Sequence, residues 1–192
     1  MKVAIVELVS ASPLGFSKFY SKEDVPLNDE CRETPDKYEE RTWRNRLHVQ
    51  DGHAIIPSMA FKNCISAAAK FLSMQIRGKG KKTYTKSFEA GVMVPEPLIL
   101  PDLAENVTGV WVHVPSDGVR GGSRRVMKKF PVIPKWNGTV SFYILDELIT
   151  EEVFMKHIEA AGRFIGLLFW RPINNGMYGR FTVKSIKWQN GI

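Results

Sequence analysis

An α+β domain is the fold class this sequence predicts, with elements in the order strand, helix, strands, helix, strand. Three observations predict it. The chain opens on a short run rich in β-branched residues, "KVAIVELV". Two stretches with helical spacing of apolar residues follow, at 57–76 and 151–166. Each leads into segments that alternate as strands do, and the last of these closes the chain.

Each element has its own signal. Lys2–Val9 reads as a buried strand. Residues 10–46 contain Pro13, Pro26 and Pro35 without sustained periodicity, too long for an ordinary connection, and are expected to be a projecting insertion. "RTWRNRLHVQDGHAII" suggests a hairpin turning at Asp51-Gly52. Pro57 and Ser58 start a helix that carries Phe61, Cys64, Ile65, Ala68, Phe71, Leu72 and Ile76 on one face and ends at Gly78. "SFEAGVMVPEPLIL" alternates like one or two strands, and 107–115 and 138–145 read as strands. Thr150 is the expected N-cap of helix 151–166, with Glu151 and Glu152 where the helix dipole favours acids. "YGRFTVKSIKW" is the final strand. With the insertions removed, a βαββαβ core remains, the ferredoxin-like or RNA-recognition-motif arrangement. The expectation is a single domain over 1–192, with an N-terminal insertion at 10–46 and a basic loop insertion at 116–130.

Composition narrows the class. Of the 192 residues, 44% are hydrophobic and 24% charged, as in an ordinary globular domain. No apolar run has the ~20 residues of a membrane span, and "MKVAIVELVSASPLG" has no leader pattern. Cys64 lies on an apolar helical face and Cys31 in the insertion, so a reduced, cytoplasmic setting is expected. Four scattered His and two distant Cys give no zinc spacing, and neither a P-loop nor a nucleophile elbow occurs. No cofactor and no metal are expected.

Charge points to a polyanion. The net charge is +7, yet residues 21–40 hold eight acidic and three basic side chains, a balance of −5, so the other 172 residues carry +12. Two glycine-spaced loops concentrate the surplus: Arg77, Lys79, Lys81, Lys82 and Lys86 in the first, and Arg120, Arg124, Arg125, Lys128 and Lys129 in the second. Such loops can neutralise phosphates without reading sequence, with Tyr84 and Trp136 close enough to stack on bases. The competing reading is two solvated loops. In "GRFIGLLFWRPINNGMYGRFTV" (162–183), Pro172 ends a helix and Asn-Asn-Gly turns the chain. Gly179 there marks close approach by a ligand or by another backbone. Phe169 and Phe181 read as packed residues, Arg171 and Arg180 as ligand-facing ones.

Three motifs, in order, carry a resemblance. The ending "YGRF" after the last helix, the element "DGHAIIPSMAFKNCISAAAKF" and the opening "KVAIVELVSASPLGFSK" resemble the RAMP superfamily (repeat-associated mysterious proteins) of CRISPR effector complexes. In the second motif Ile56, Pro57, Phe61 and Lys62 fit the family pattern, while Ser58-Met59-Ala60 and Asn63 depart from it. The likeness is to the backbone subunits that polymerise along a guide RNA, and it implies a sheet and first helix that grip RNA and a thumb that kinks it. The short chain points to a minimal or mobile-element-encoded version.

The expected function is therefore a non-catalytic subunit that oligomerises head-to-tail along a guide RNA and presents it to a target nucleic acid, alongside other effector subunits and away from membranes. Lys62, Arg44, Arg46, Arg171, Arg180 and the two loops would contact phosphates, while Trp43, Trp170 and Tyr178 would stack on or wedge bases. The acidic insertion would meet the basic face of an adjacent copy. An RNA-processing endoribonuclease and a phage-type structural or inhibitory protein are the alternatives. Family members that cut RNA use a loop Asp, for which Asp24, Asp29 and Asp36 would be the counterparts. His48 and His53 are the candidates for general acid/base work, whereas His113 and His157 read as strand and core residues.

Overall fold

The computed structural model describes residues 1–21, 23, 25–26, 33–116 and 124–190. In chain order the strands are β1 (Lys2–Ser10), β2 (Leu14–Gly15), β3 (Val49–Gln50), β4 (His53–Ile56), β5 (Val92–Met93), β6 (Leu98–Leu103), β7 (Thr108–Pro115), β8 (Arg125–Ile133), β9 (Asn137–Ile144) and β10 (Phe181–Asn190). The helices are α1 (Pro35–Thr42), α2 (Ser58–Leu72), α3 (Thr85–Gly91) and α4 (Glu151–Ala160), the last running on into a π-helical turn, Ala161–Ile165.

The central sheet has the order β10-β1-β9-β5, antiparallel throughout. With α2 after β1 and α4 after β9, it is the ferredoxin-like βαββαβ core in the strand order 4-1-3-2. Alternation makes its inner face: Ala4, Val6 and Leu8 of β1 and Val140, Phe142 and Ile144 of β9 are buried. Phe61 of α2 and Phe154 of α4 meet Phe142 edge-on, at 6.4 and 5.4 Å between ring centres. Thr150 caps α4 as expected, its hydroxyl accepting the Val153 N–H at 3.3 Å. Helix α2 stops at Leu72, short of the predicted end at Gly78, because Ser73 turns left-handed at φ 46°.

Two smaller sheets hang on this core. One has the order β3-β4-β6, and its hairpin turns at Asp51-Gly52 with φ of 50° and 79°. The other has the order β2-β8-β7. Three expectations are corrected here. "SFEAG" is helical, within α3, because Tyr84 and Phe88 bury a helical face. The clear strand at 107–115 lies outside the central sheet. The stretch 116–130, read as a loop, is from Arg125 onward strand β8, paired with β7 from Arg125↔Pro115 to Val132↔Thr108. Its basic residues are interspersed with Val126, Met127 and Phe130, and the glycines before it in the sequence hid the strand.

Candidate nucleic-acid interface

Arg46 organises the ground beside β8. Its guanidinium pairs with the Glu39 carboxylate through two contacts of 3.0 Å and donates to the Lys129 carbonyl at 3.2 Å. It also lies 5.3 Å from the Tyr20 ring and 5.1 Å from the Phe130 ring. Glu39 in turn accepts the Lys129 N–H at 3.4 Å. The pair therefore seals the β8 edge at Lys129 as a neighbouring strand would, two residues from Pro131, whose carbonyl accepts the Phe16 N–H at 3.0 Å. Arg46 and Glu39 are 8% and 9% exposed. A buried charge needs such pairing, so this arginine is committed to the fold.

Past that seal opens a cleft of about 630 Å³. Residues 17–20, Pro35 and Tyr38 of α1, and Arg124, Met127 and Lys128 line it. The side chains of Lys18, Arg124 and Lys128 line it, and none of the three makes a hydrogen bond or ion pair with a described residue. Glu39 is the one carboxylate among its described lining residues, and Arg46 already neutralises it. Phe19 stands at the cleft 87% exposed. Lys18 and Phe19 were missed in the sequence; the signal was the Lys-aromatic interleaving of "FSKFY" inside a segment read only as an insertion.

The residues singled out from sequence are dispersed. Trp43 is 3% exposed, covered by Arg44 (4.3 Å from the ring) and Lys129 (5.1 Å), and presents no face to a base. Arg44 is exposed and also donates to the Glu105 carbonyl at 3.3 Å. Lys129 is held by Glu40 at 2.6 Å. Lys62 donates to Ser66 Oγ (2.8 Å) and to the carbonyls of Phe88 and Glu89 (2.9 Å each), tying α2 to α3, and burial lowers its pKa. All three of its donors are used. Arg77, Lys79, Lys81 and Lys82 are exposed and unpaired among the described residues, at the C-terminal end of α2, whereas Lys86 pairs with Glu89. Arg125 is exposed at the start of β8, and Arg120 lies outside the described residues. Tyr84 and Trp136 are buried in the core, which removes both as stacking surfaces.

The C-terminal turn is built by packing. Phe130, Phe169 and Trp170 pile up at 4.5 and 4.2 Å between successive rings, and Tyr178 meets Trp170 edge-on at 5.5 Å. Trp170 and Tyr178 are half-buried in this pile, which joins the turn to β8. Gly179, at φ 74°, has the Leu167 carbonyl where a Cβ would sit, 2.1 Å away, so another backbone makes the close approach there. Arg180 donates to the Arg163 carbonyl, and Arg171 is half-buried. Burial pushes the Cys64 thiol up to about 12, with the Arg171 charge opposing the shift.

Among the described residues no group of three or more His, Cys, Asp or Glu could hold a metal ion. Asp24, Asp29 and Cys31 lie outside the described residues; Asp36 is exposed in the first turn of α1. Burial, and then the Lys18 charge, lowers the His48 pKa. No side-chain hydrogen bond joins His48 or His53 to a described residue, and His53 Nδ1 is buried without a partner among them. No helix among the described residues is long and apolar enough to cross a membrane.

Fold and cleft together define a ferredoxin-like α+β protein with a cationic cleft beside its second sheet. No protein-family model and no curated protein matches the chain. Among solved structures it is similar to Cmr6 from Pyrococcus furiosus, at 15% sequence identity and a TM-score of 0.43, over 95% of this chain and 99% of that one.

Proposed function

We propose that the chain is a non-catalytic RNA-binding subunit of an RNA-guided, CRISPR-like effector complex. Copies line up head to tail along a guide RNA and hold it for pairing with a target nucleic acid. The observation that carries this reading is the cleft lined by Lys18, Arg124 and Lys128, whose side chains have no partner among the described residues, while the one carboxylate of its described lining is neutralised by Arg46. Cations held so, in a body of charge +12 outside residues 21–40, favour a polyphosphate chain. The three RAMP-like motifs narrow that polyanion to a guide RNA. The exposed loop Arg77–Lys82 supplies a second, separate contact to the backbone. The endoribonuclease alternative gains no support from His48 and His53, which lack an acid/base partner among the described residues.

The test is recovery of nucleic acid with the protein expressed in its own cells, followed by sequencing. RNA with repeat-derived ends, protecting a length that grows with the number of copies, is the expected result. Protein that purifies free of nucleic acid and does not shift RNA at low salt overturns the proposal.

A further inference from the structure

We infer that the cleft takes RNA as a single strand, with the Phe19 ring as the platform on which one base stacks. This rests on the RNA-binding reading above and adds the form of RNA and the residue that selects it. Phe19 is held outward by its neighbours. On one side the Lys18 N–H donates to the Arg46 carbonyl at 2.9 Å. On the other, the Tyr20 hydroxyl bonds Thr42 Oγ1 at 2.9 Å and its ring lies 5.3 Å from the Arg46 guanidinium. With both flanking residues fastened to the same arginine-centred cluster, the chain between them turns its third side chain, Phe19, toward solvent.

An apolar ring fixed in water at the edge of a cationic cleft matches one chemistry well. A nucleobase has an apolar face to lay on the ring, and its phosphates meet Lys18, Arg124 and Lys128. At about 630 Å³ the cleft has the size that holds a drug-sized molecule, room for one or two nucleotides. A paired base, stacked on both faces, has no surface to offer Phe19.

The experiment is fluorescence anisotropy with a labelled ten-nucleotide single-stranded RNA and a ten-base-pair RNA duplex, on wild type, Phe19→Ala and Phe19→Trp. Wild type is expected to bind the single strand about ten-fold or more tightly than the duplex. Phe19→Ala should lose roughly ten-fold on the single strand and change little on the duplex, while Phe19→Trp keeps the preference. Because Phe19 is so exposed, both variants should melt with wild type. Wild type that binds RNA while Phe19→Ala binds it equally well overturns this inference alone. Wild type that binds neither RNA at low salt overturns the RNA-binding reading beneath it.

Discussion

Arg46 offers a clean separation of a structural charge from a ligand-binding one. Arg46→Met removes the partner of a carboxylate that is 9% exposed and strips the donor from the Lys129 carbonyl. Breaking a buried pair from one side typically costs about 3–5 kcal/mol, most of it the stranded charge. In a chain of this length each kcal/mol shifts the melting point by about 2–4 °C, so a fall of roughly 6–20 °C is expected. Adding Glu39→Leu removes the stranded carboxylate and leaves only the unpartnered N–H and carbonyl of Lys129, a cost of about 1–3 kcal/mol. The double variant is therefore more stable than Arg46→Met alone, and urea denaturation of the four proteins in the cycle reads the coupling. Arg46→Lys, which keeps the charge but not the forked geometry, should fall in between. If Arg46→Met unfolds within about 1 kcal/mol of wild type but loses RNA affinity, Arg46 is a phosphate ligand and the sealed-edge account is wrong.

Three further outcomes follow from other parts of the molecule. Replacing Lys18, Arg124 and Lys128 with Gln should flatten the dependence of log K on log salt by about 2, at about 0.7 per phosphate contact on single strands; a salt titration with an unchanged slope places the RNA elsewhere. His157 is fully buried, with Nδ1 2.6 Å from the Val153 carbonyl, Nε2 unpartnered and its pKa lowered chiefly by burial. The unfolded chain thus takes up this proton near pH 6.5 and the folded one only lower, so stability is full above that pH and falls as pH drops below it. His48 shifts the same way. A urea midpoint that is lower at pH 5 than at pH 7.5 is expected, with the difference reduced in His157→Phe, and no pH dependence would count against it. Gly179→Ala forces a Cβ against the Leu167 carbonyl at positive φ and should cost about 3 kcal/mol or more, read as a lost or lowered thermal transition.

The core was legible because its signals are local. The β-branched opening, the Thr150 cap and the spacing of Phe61, Cys64, Ile65 and Ala68 each name an element, and the element order names the arrangement. The second sheet was not, because β2 has two residues and β8 mixes basic side chains into its alternation. The interface was legible as a charge and illegible as a place. Lys62, Arg46 and Lys129 look alike in a sequence to Arg124 and Lys128, yet the first three are engaged by carbonyls or carboxylates distant in the chain. Close packing within the C-terminal turn explains its glycines: a neighbour such as Leu167 or Trp170, rather than a ligand, occupies the space a Cβ would fill at Gly179 and Gly176.

The central position of β1 has a bearing on how the protein is made. Its two partners, β9 and β10, both lie beyond residue 136. At roughly 5–20 residues per second, this apolar strand waits on the order of ten seconds after its own synthesis for a native neighbour. Until then Val6 and Leu8 have no finished core to enter, and the nascent chain depends on chaperone shelter or on provisional collapse. Loss of β10 in a truncated product would remove one whole flank of that strand, leaving an edge open to aggregation rather than a smaller folded unit.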